Sequence, residues 1–213
     1  TEDIVQSALT ILTSSIDISA RFFMETESTV CMSSLCTFTR LQPWAPIKIQ
    51  NIRAIRELLD MSTSFSSYFE PVWEKLLSLF AQLNYFMIAH NSSTSDSVMN
   101  EITQKNAELI AEFVPLEEID QLFEASENFP STSIVPFVHA LCKVSNNEFG
   151  QRPPRTFCLQ KIVEVTSFNM ERARFVWTQI WKPISHHLIE AGCFPEEGIA
   201  RSALDSLRQL SGK

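Results

Sequence analysis

Between Phe157 and Leu210 one pattern occurs three times in succession, and it constrains the fold more than any other feature. Leu159, Ile162, Val163, Thr166 and Met170 fall at i, i+3, i+4, i+7 and i+11, a single helix face. Trp177, Ile180, Trp181, Ile184, Leu188 and Ala191 repeat it. Ala200, Ala203, Leu204, Leu207 and Leu210 form a third stripe, opened by Pro195, Glu196 and Glu197. Proline suits a first helical turn, and carboxylates there complement the helix dipole. Three amphipathic helices joined by short connections must bury their stripes against one another.

Composition supports the helical reading. Four glycines in 213 residues are too few for the many turns of a sheet-rich fold. The net charge of −8 is uneven: residues 91–150 carry ten acids and two bases, and 151–213 carry nine bases and six acids. An acidic middle argues against nucleic-acid binding, while the mildly basic last third suits an anionic surface. The five cysteines form no CxxC pair and read as free thiols. No apolar run reaches the roughly 20 residues of a membrane span. The chain starts mid-pattern and stops just after a helix, which reads as a piece of a longer cytosolic protein.

Further helices are expected over 3–12, over 28–40 with Cys31, Leu35 and Phe38 inward, and from Pro46 to Met61. Others are expected over 70–90 and 98–112, from Pro115 to Ala125, and over 132–145. Pro43 and the serine-rich 62–67 read as breaks, and 91–97 as a loop. Trp73 is followed by Leu76, Leu77 and Phe80 at +3, +4 and +7, and Trp177 by Ile180, Trp181 and Ile184 at the same offsets. Two helix pairs with a tryptophan on the second helix indicate repeated hairpins, which bury their faces only by stacking. The expected fold is all-α: a right-handed, HEAT/armadillo-like stack of antiparallel helix hairpins. It spans 1–213 as one domain, with a first helix group (1–90), an acidic connecting segment (91–131) and a C-terminal group (132–213).

Several residues in this stretch carry a family resemblance. They are Leu159-Gln160-Lys161-Ile162-Val163-Glu164, Asn169-Met170, Arg172, Trp177, Ile180-Trp181, Gly192-Cys193, Pro195 and the run Asp205-Ser206-Leu207-Arg208-Gln209-Leu210-Ser211. Upstream, Gln50-Asn51-Ile52, Ile134-Val135-Pro136-Phe137-Val138 and Leu141-Cys142-Lys143-Val144-Ser145 extend it. The chain resembles the first homology-downstream domain of the large brefeldin-inhibited (BIG-type) guanine nucleotide exchange factors of Arf GTPases. In that family this region follows a catalytic domain that releases GDP through a glutamate on a helical groove. The resemblance implies a non-catalytic regulatory domain that restrains exchange and helps recruit the protein to trans-Golgi membranes. The implied partners are GTP-loaded Arf, other domains of the same exchange factor and the anionic Golgi membrane surface. The implied location is cytoplasmic, peripheral at the Golgi. The segment from His90 to Pro115 is shorter than the family's usual insert, and proline at 183 departs from its pattern. The alternative reading is an architectural spacer with no ligand of its own.

Enzymatic constellations are missing from the sequence. His186 and His187 are adjacent, so on a helix they point about 100° apart and do not chelate one metal as an i, i+4 pair would. Phosphate loops and nucleophile elbows do not occur, and Glu117-Glu118 and Glu196-Glu197 read as helix-start charges. The Asn91-Ser92-Ser93 sequon has no secretory signal to accompany it. No cofactor is expected. Trp73, Trp177 and Trp181 read as core, and Pro183 as a kink. Asn169 reads as a corner or cap residue, and with Arg172 and Arg174 it makes a candidate partner-binding corner. Arg208 and Gln209 are candidates for contact with a following helical repeat.

Overall fold

The computed structural model describes residues 2–39, 41, 45–64, 69–91, 101–114 and 116–212. The described residues form ten α-helices and two 3₁₀ turns and contain no strand. The helices are α1 (Glu2–Arg21), α2 (Glu25–Thr39), α3 (Ile49–Ser64), α4 (Trp73–Asn91), α5 (Glu101–Phe113), α6 (Leu116–Ala125), α7 (Ser131–Phe149), α8 (Phe157–Phe168), α9 (Arg174–Gly192) and α10 (Glu197–Ser211). Expectations placed on Pro43, 65–67, 92–100 and Pro115 lie outside the described residues. The chain divides into two compact units, 1–119 and 120–213.

In the first unit α1 packs on α2 and α3, α2 on α3 and α4, and α4 on α5. Trp73, Leu76, Leu77 and Phe80 are wholly buried, so the Trp73 stripe is core as its spacing predicts. Two buried asparagines fasten the chain around α3. Asn51 accepts the Lys48 N–H at 2.9 Å and donates to the Phe38 carbonyl at 2.6 Å. Asn106 accepts the Ile47 N–H at 2.9 Å and donates to the Ala45 carbonyl at 2.8 Å. Helix α1 is longer than its first-turn stripe suggests. Thr13, Ser14 and Ser15 do not break it, because Ile16 and Ala20 continue the buried line begun at Leu9. On α2 the inward residues are Ser28, Met32, Leu35 and Thr39; Cys31 and Phe38 sit only half-buried.

In the second unit α7 pairs with α8 and α9 with α10, while α7 also packs on α9 and α8 on α10. Contacts both within and between successive hairpins are the pattern of a helical-repeat stack. Phe123, Phe129, Phe137 and Phe157 form an aromatic cluster with centroids 5.4 to 6.1 Å apart. Lys161 covers it, its ammonium 5.4 Å from the Phe123 ring and 2.8 and 2.7 Å from Asp120 and Glu164. Thr156 makes no side-chain cap on α8. Instead the buried Glu148 accepts the Cys158 N–H through Oε2 at 2.7 Å, which satisfies a donor at the helix start.

Two stripes of the organising stretch are rotated from their expected faces. On α9 the buried residues are Val176, Ile180, Ile184, His187, Leu188 and Ala191. Trp177 and Trp181 are half-buried and stack on each other, centroids 5.7 Å apart. Tryptophan is large and rarely buried completely, whereas His187 is admitted to the core by a hydrogen-bond partner and a ring partner. On α10 Ile199, Ala203, Ser206 and Leu210 are buried, while Leu204 and Leu207 face outward. The helix runs on through Pro183 to Gly192.

Candidate functional site

Asn169 closes α8. Its backbone N–H returns to the Val165 carbonyl at 3.1 Å, and its side-chain amide donates to the same carbonyl at 2.8 Å and to the Ser126 hydroxyl at 3.1 Å. The residue is wholly buried. Its Oδ1 accepts the Nε–H of Arg172. The Nη2 of Arg172 then donates to the carbonyls of Ser126, Glu127 and Phe129 at 2.9, 2.8 and 2.7 Å. Those carbonyls belong to the 3₁₀ turn (Ser126–Asn128) after α6 and the residue beyond it. Only a guanidinium offers enough donors in one plane to reach them all. Burial pushes its acidity up against the pull of Glu127, but arginine remains charged.

The corner has an inner and an outer part. Asn169 and Arg172 are brought together and directed inward. Arg174 begins α9 and is exposed, next to Phe175, which is 74% exposed, and Phe168 on the far side of the turn is partly exposed. Arg174 and the adjacent Phe175 thus open α9 on one side of the bend, and exposed Phe168 ends α8 on the other. Phe168 and Phe175 escape a periodicity search, because an exposed phenylalanine and a core phenylalanine are the same letter.

Arg208 and Gln209 lie exposed on the last turns of α10, where Arg208 pairs with Asp205 at 3.3 Å. Four residues link α9 to α10 and span at most about 14 Å. The 19-residue α9 is about 28 Å long, so the two contacting helices run antiparallel. The end of α10 therefore returns toward the start of α9, and Arg208 shares an end of the hairpin with Arg174. The structure gives no direct bond between them.

The two histidines diverge as their adjacency requires. His187 is buried, with its Nε2 3.0 Å from the Ser145 hydroxyl. His186 is exposed and lies 3.4 Å from Glu190. Among the described residues no three His, Cys, Asp or Glu side chains gather as metal ligands. Cys142 and Cys158 are buried, and burial raises the Cys142 thiol to about 12. A groove of about 570 Å³ between α7 and α9, floored by Val135, Cys142 and Pro183 and rimmed by Lys143, Lys182 and Glu190, was not legible in the stripes. None of the described helices is long and apolar enough to cross a membrane.

No family model matches the sequence. Individual proteins do. The chain is 31% identical to "brefeldin A-inhibited guanine nucleotide-exchange protein 2" of Arabidopsis thaliana over 247 aligned positions, covering 89% of the chain and 14% of that protein. It is 30% identical to the human protein 1 of the same name, over 93% of the chain and 13% of the relative. The rat protein 1 is 29% identical, over 99% of the chain and 14% of the relative. The alignments are longer than the chain itself, so the relatives carry residues here that this chain lacks. The chain spans about one seventh of their length, and over most of its own it belongs to the family of brefeldin A-inhibited guanine nucleotide-exchange proteins.

Proposed function

We propose that this chain is a non-catalytic regulatory domain of an Arf guanine nucleotide-exchange protein. It lies downstream of the catalytic domain, controls exchange, and recruits the protein to trans-Golgi membranes through GTP-loaded Arf. The observation that carries the reading is the bend between α8 and α9. Exposed Arg174 and Phe175 open α9 and exposed Phe168 ends α8, on either side of a corner that Asn169 and Arg172 hydrogen-bond from within. Apolar side chains flanked by positive charge suit a partner presented at an anionic surface. Arg208 and Gln209, at the same end of the α9–α10 hairpin, extend it.

The experiment is co-sedimentation of the 213-residue chain with anionic vesicles bearing lipid-anchored Arf. Recruitment is expected with GTP-loaded Arf, weak binding with soluble Arf, and loss as salt rises from about 0.05 to about 0.3 M and the screening length shortens. Arg174→Glu and Phe175→Ser are expected to reduce recruitment without changing the melting temperature. Equal recruitment by GDP- and GTP-loaded Arf would sink the reading. A second reading, an architectural spacer without a ligand, draws its support from the fully internal use of Asn169 and Arg172. It predicts no response to either surface substitution.

A further inference from the structure

Helix α1 carries a second apolar stripe on the side away from its core. Ile4, Ile11 and Ile18 are 72%, 64% and 53% exposed, and Phe22 is 72% exposed. Phe22 stays on the helical path, because its N–H bonds to the Ile18 carbonyl at 3.0 Å. With Ala8 and Ser15 these residues step by four and three alternately, the spacing of a coiled-coil seam. The opposite face, with Leu9, Ile16 and Ala20, is already buried. From Ile4 to Ile16 the helix has no charged residue, which is unusual for a face left to water.

The end of the stripe supplies an independent observation. Phe23 has φ of 57°, in the left-handed region, and is 83% exposed. Its N–H and that of Met24 close the helix onto the carbonyls of Ala20 and Ser19 at 3.2 and 2.8 Å. Glycine ordinarily takes this position, because a side chain there crowds the neighbouring carbonyl. A phenylalanine held in that conformation and 83% exposed is left almost wholly to water by the described residues.

We infer that this face of α1 binds a second copy of the chain through an antiparallel α1–α1 seam. The stripe is self-complementary in that sense alone. With a two-fold axis near Thr13, Ile4 faces Phe22 of the second copy, Ala8 faces Ile18, and Ile11 faces Ser15. Each inner layer sets a branched side chain against a small one, so the helices approach closely and interdigitate. A parallel pair would instead oppose Ala8 to Ala8 and Ser15 to Ser15, leaving gaps between isoleucine layers. The exposed Ile4, Ile11, Ile18, Phe22 and Phe23 together offer on the order of 700 Å² per copy, close to the ~800 Å² per partner of a standard specific interface. The arrangement is isologous, as two-fold dimers are, and places no like charges opposite each other in the seam.

Sedimentation equilibrium of the 213-residue chain from about 1 to 200 µM tests this by mass action. The expected mass rises from 24.3 kDa to twice that. Ile11→Glu, which buries two unpaired carboxylates near the axis of the dimer, is expected to weaken association by roughly 100-fold or more. Its melting temperature should match the parent at low concentration, since position 11 is exposed in the single chain. Register is tested in a Cys193→Ser background. Ser14→Cys sits beside the axis and should give an oxidised dimer; Ser7→Cys lies far from its own copy and should not. A single 24.3 kDa species at every concentration overturns the inference and assigns the stripe to neighbouring polypeptide. So does a dimer indifferent to Ile11→Glu, or equal cross-linking at both cysteine positions.

Discussion

The imidazole of His187 lies 3.0 Å from the Ser145 hydroxyl and stacks on Phe149, with ring centroids 5.6 Å apart and planes 12° from parallel. Its other nitrogen, Nδ1, is buried without a partner. Burial therefore holds the ring neutral and lowers its pKa to about 4, with Glu190 opposing and His186 assisting. The unfolded chain takes up a proton near pH 6.5, and the folded chain does so only near pH 4. The stability tied to His187 is thus complete above pH 6.5 and is lost as pH falls from there to about 4, by about 3 kcal/mol in all. Denaturant melts at pH 7.5 and 5 should differ, and His187→Phe should flatten the difference. An unchanged pH slope in that variant would place the effect elsewhere.

Asn169→Ala should cost about 2–3 kcal/mol, because it strands the Ser126 hydroxyl and the Arg172 Nε–H together, while the Val165 carbonyl keeps the backbone N–H of residue 169. Arg172→Lys should cost nearly as much, since an ammonium cannot bridge the turn carbonyls and Asn169 in one plane. Thermal melts of both variants, beside an Arg174→Ala control that loses nothing, check the division of the corner into inner and outer residues.

The helices were legible because their stripes repeat at 3.6 residues, and the α8–α9 corner because Asn169 and Arg172 sit where two stripes meet. What periodicity did not reveal was the rotation of each stripe. Trp177 counts as apolar and His187 as polar, yet the histidine is inside because Ser145 and Phe149 receive it, and both partners lie on another helix. Leu204 and Leu207 likewise satisfy the stripe on α10, but Ile199, Ala203, Ser206 and Leu210 are the buried face of the helix that packs on α8 and α9. Partners distant in sequence decide such cases, and Glu148, which caps α8 from the end of α7, is another.

The two tryptophans that mark the internal repeat should therefore behave differently. Trp73 is wholly buried and lies 5.2 Å from Phe69, so Trp73→Ala should destabilise by about 3–5 kcal/mol. Trp177 is half-buried against Trp181, and Trp177→Ala should cost about 1–2 kcal/mol, mostly the stacked contact. Equal losses in urea melts would mean that the repeat is conserved in environment as well as in position.

Catalytic amounts of the chain should leave GDP release from Arf at its spontaneous rate. Catalysis of that kind needs a charge preorganised to meet the nucleotide site. The carboxylate at the α7–α9 groove is Glu190, which already lies 3.4 Å from His186 and shares the rim with Lys182. Fluorescent-nucleotide release assays with and without the chain measure this, and any acceleration abolished by Glu190→Gln would overturn it.

Glu148 provides the last contrast. Burial raises its pKa, against the opposing hydrogen bonds of Cys158 and the charge of Arg155. A carboxyl with a raised folded pKa contributes stability below its unfolded value near 4.5, and that contribution is lost as pH rises through the folded value. This is opposite in sign to the effect of His187. Glu148→Gln keeps an oxygen to accept the Cys158 N–H and removes the buried charge, so at pH 7 it should stay within about 1 kcal/mol of the parent. Glu148→Ala leaves that N–H without an acceptor at the start of α8 and should cost about 1–3 kcal/mol. If glutamine proves as damaging as alanine, the charge itself, through Arg155, is what holds the end of α7 to the start of α8.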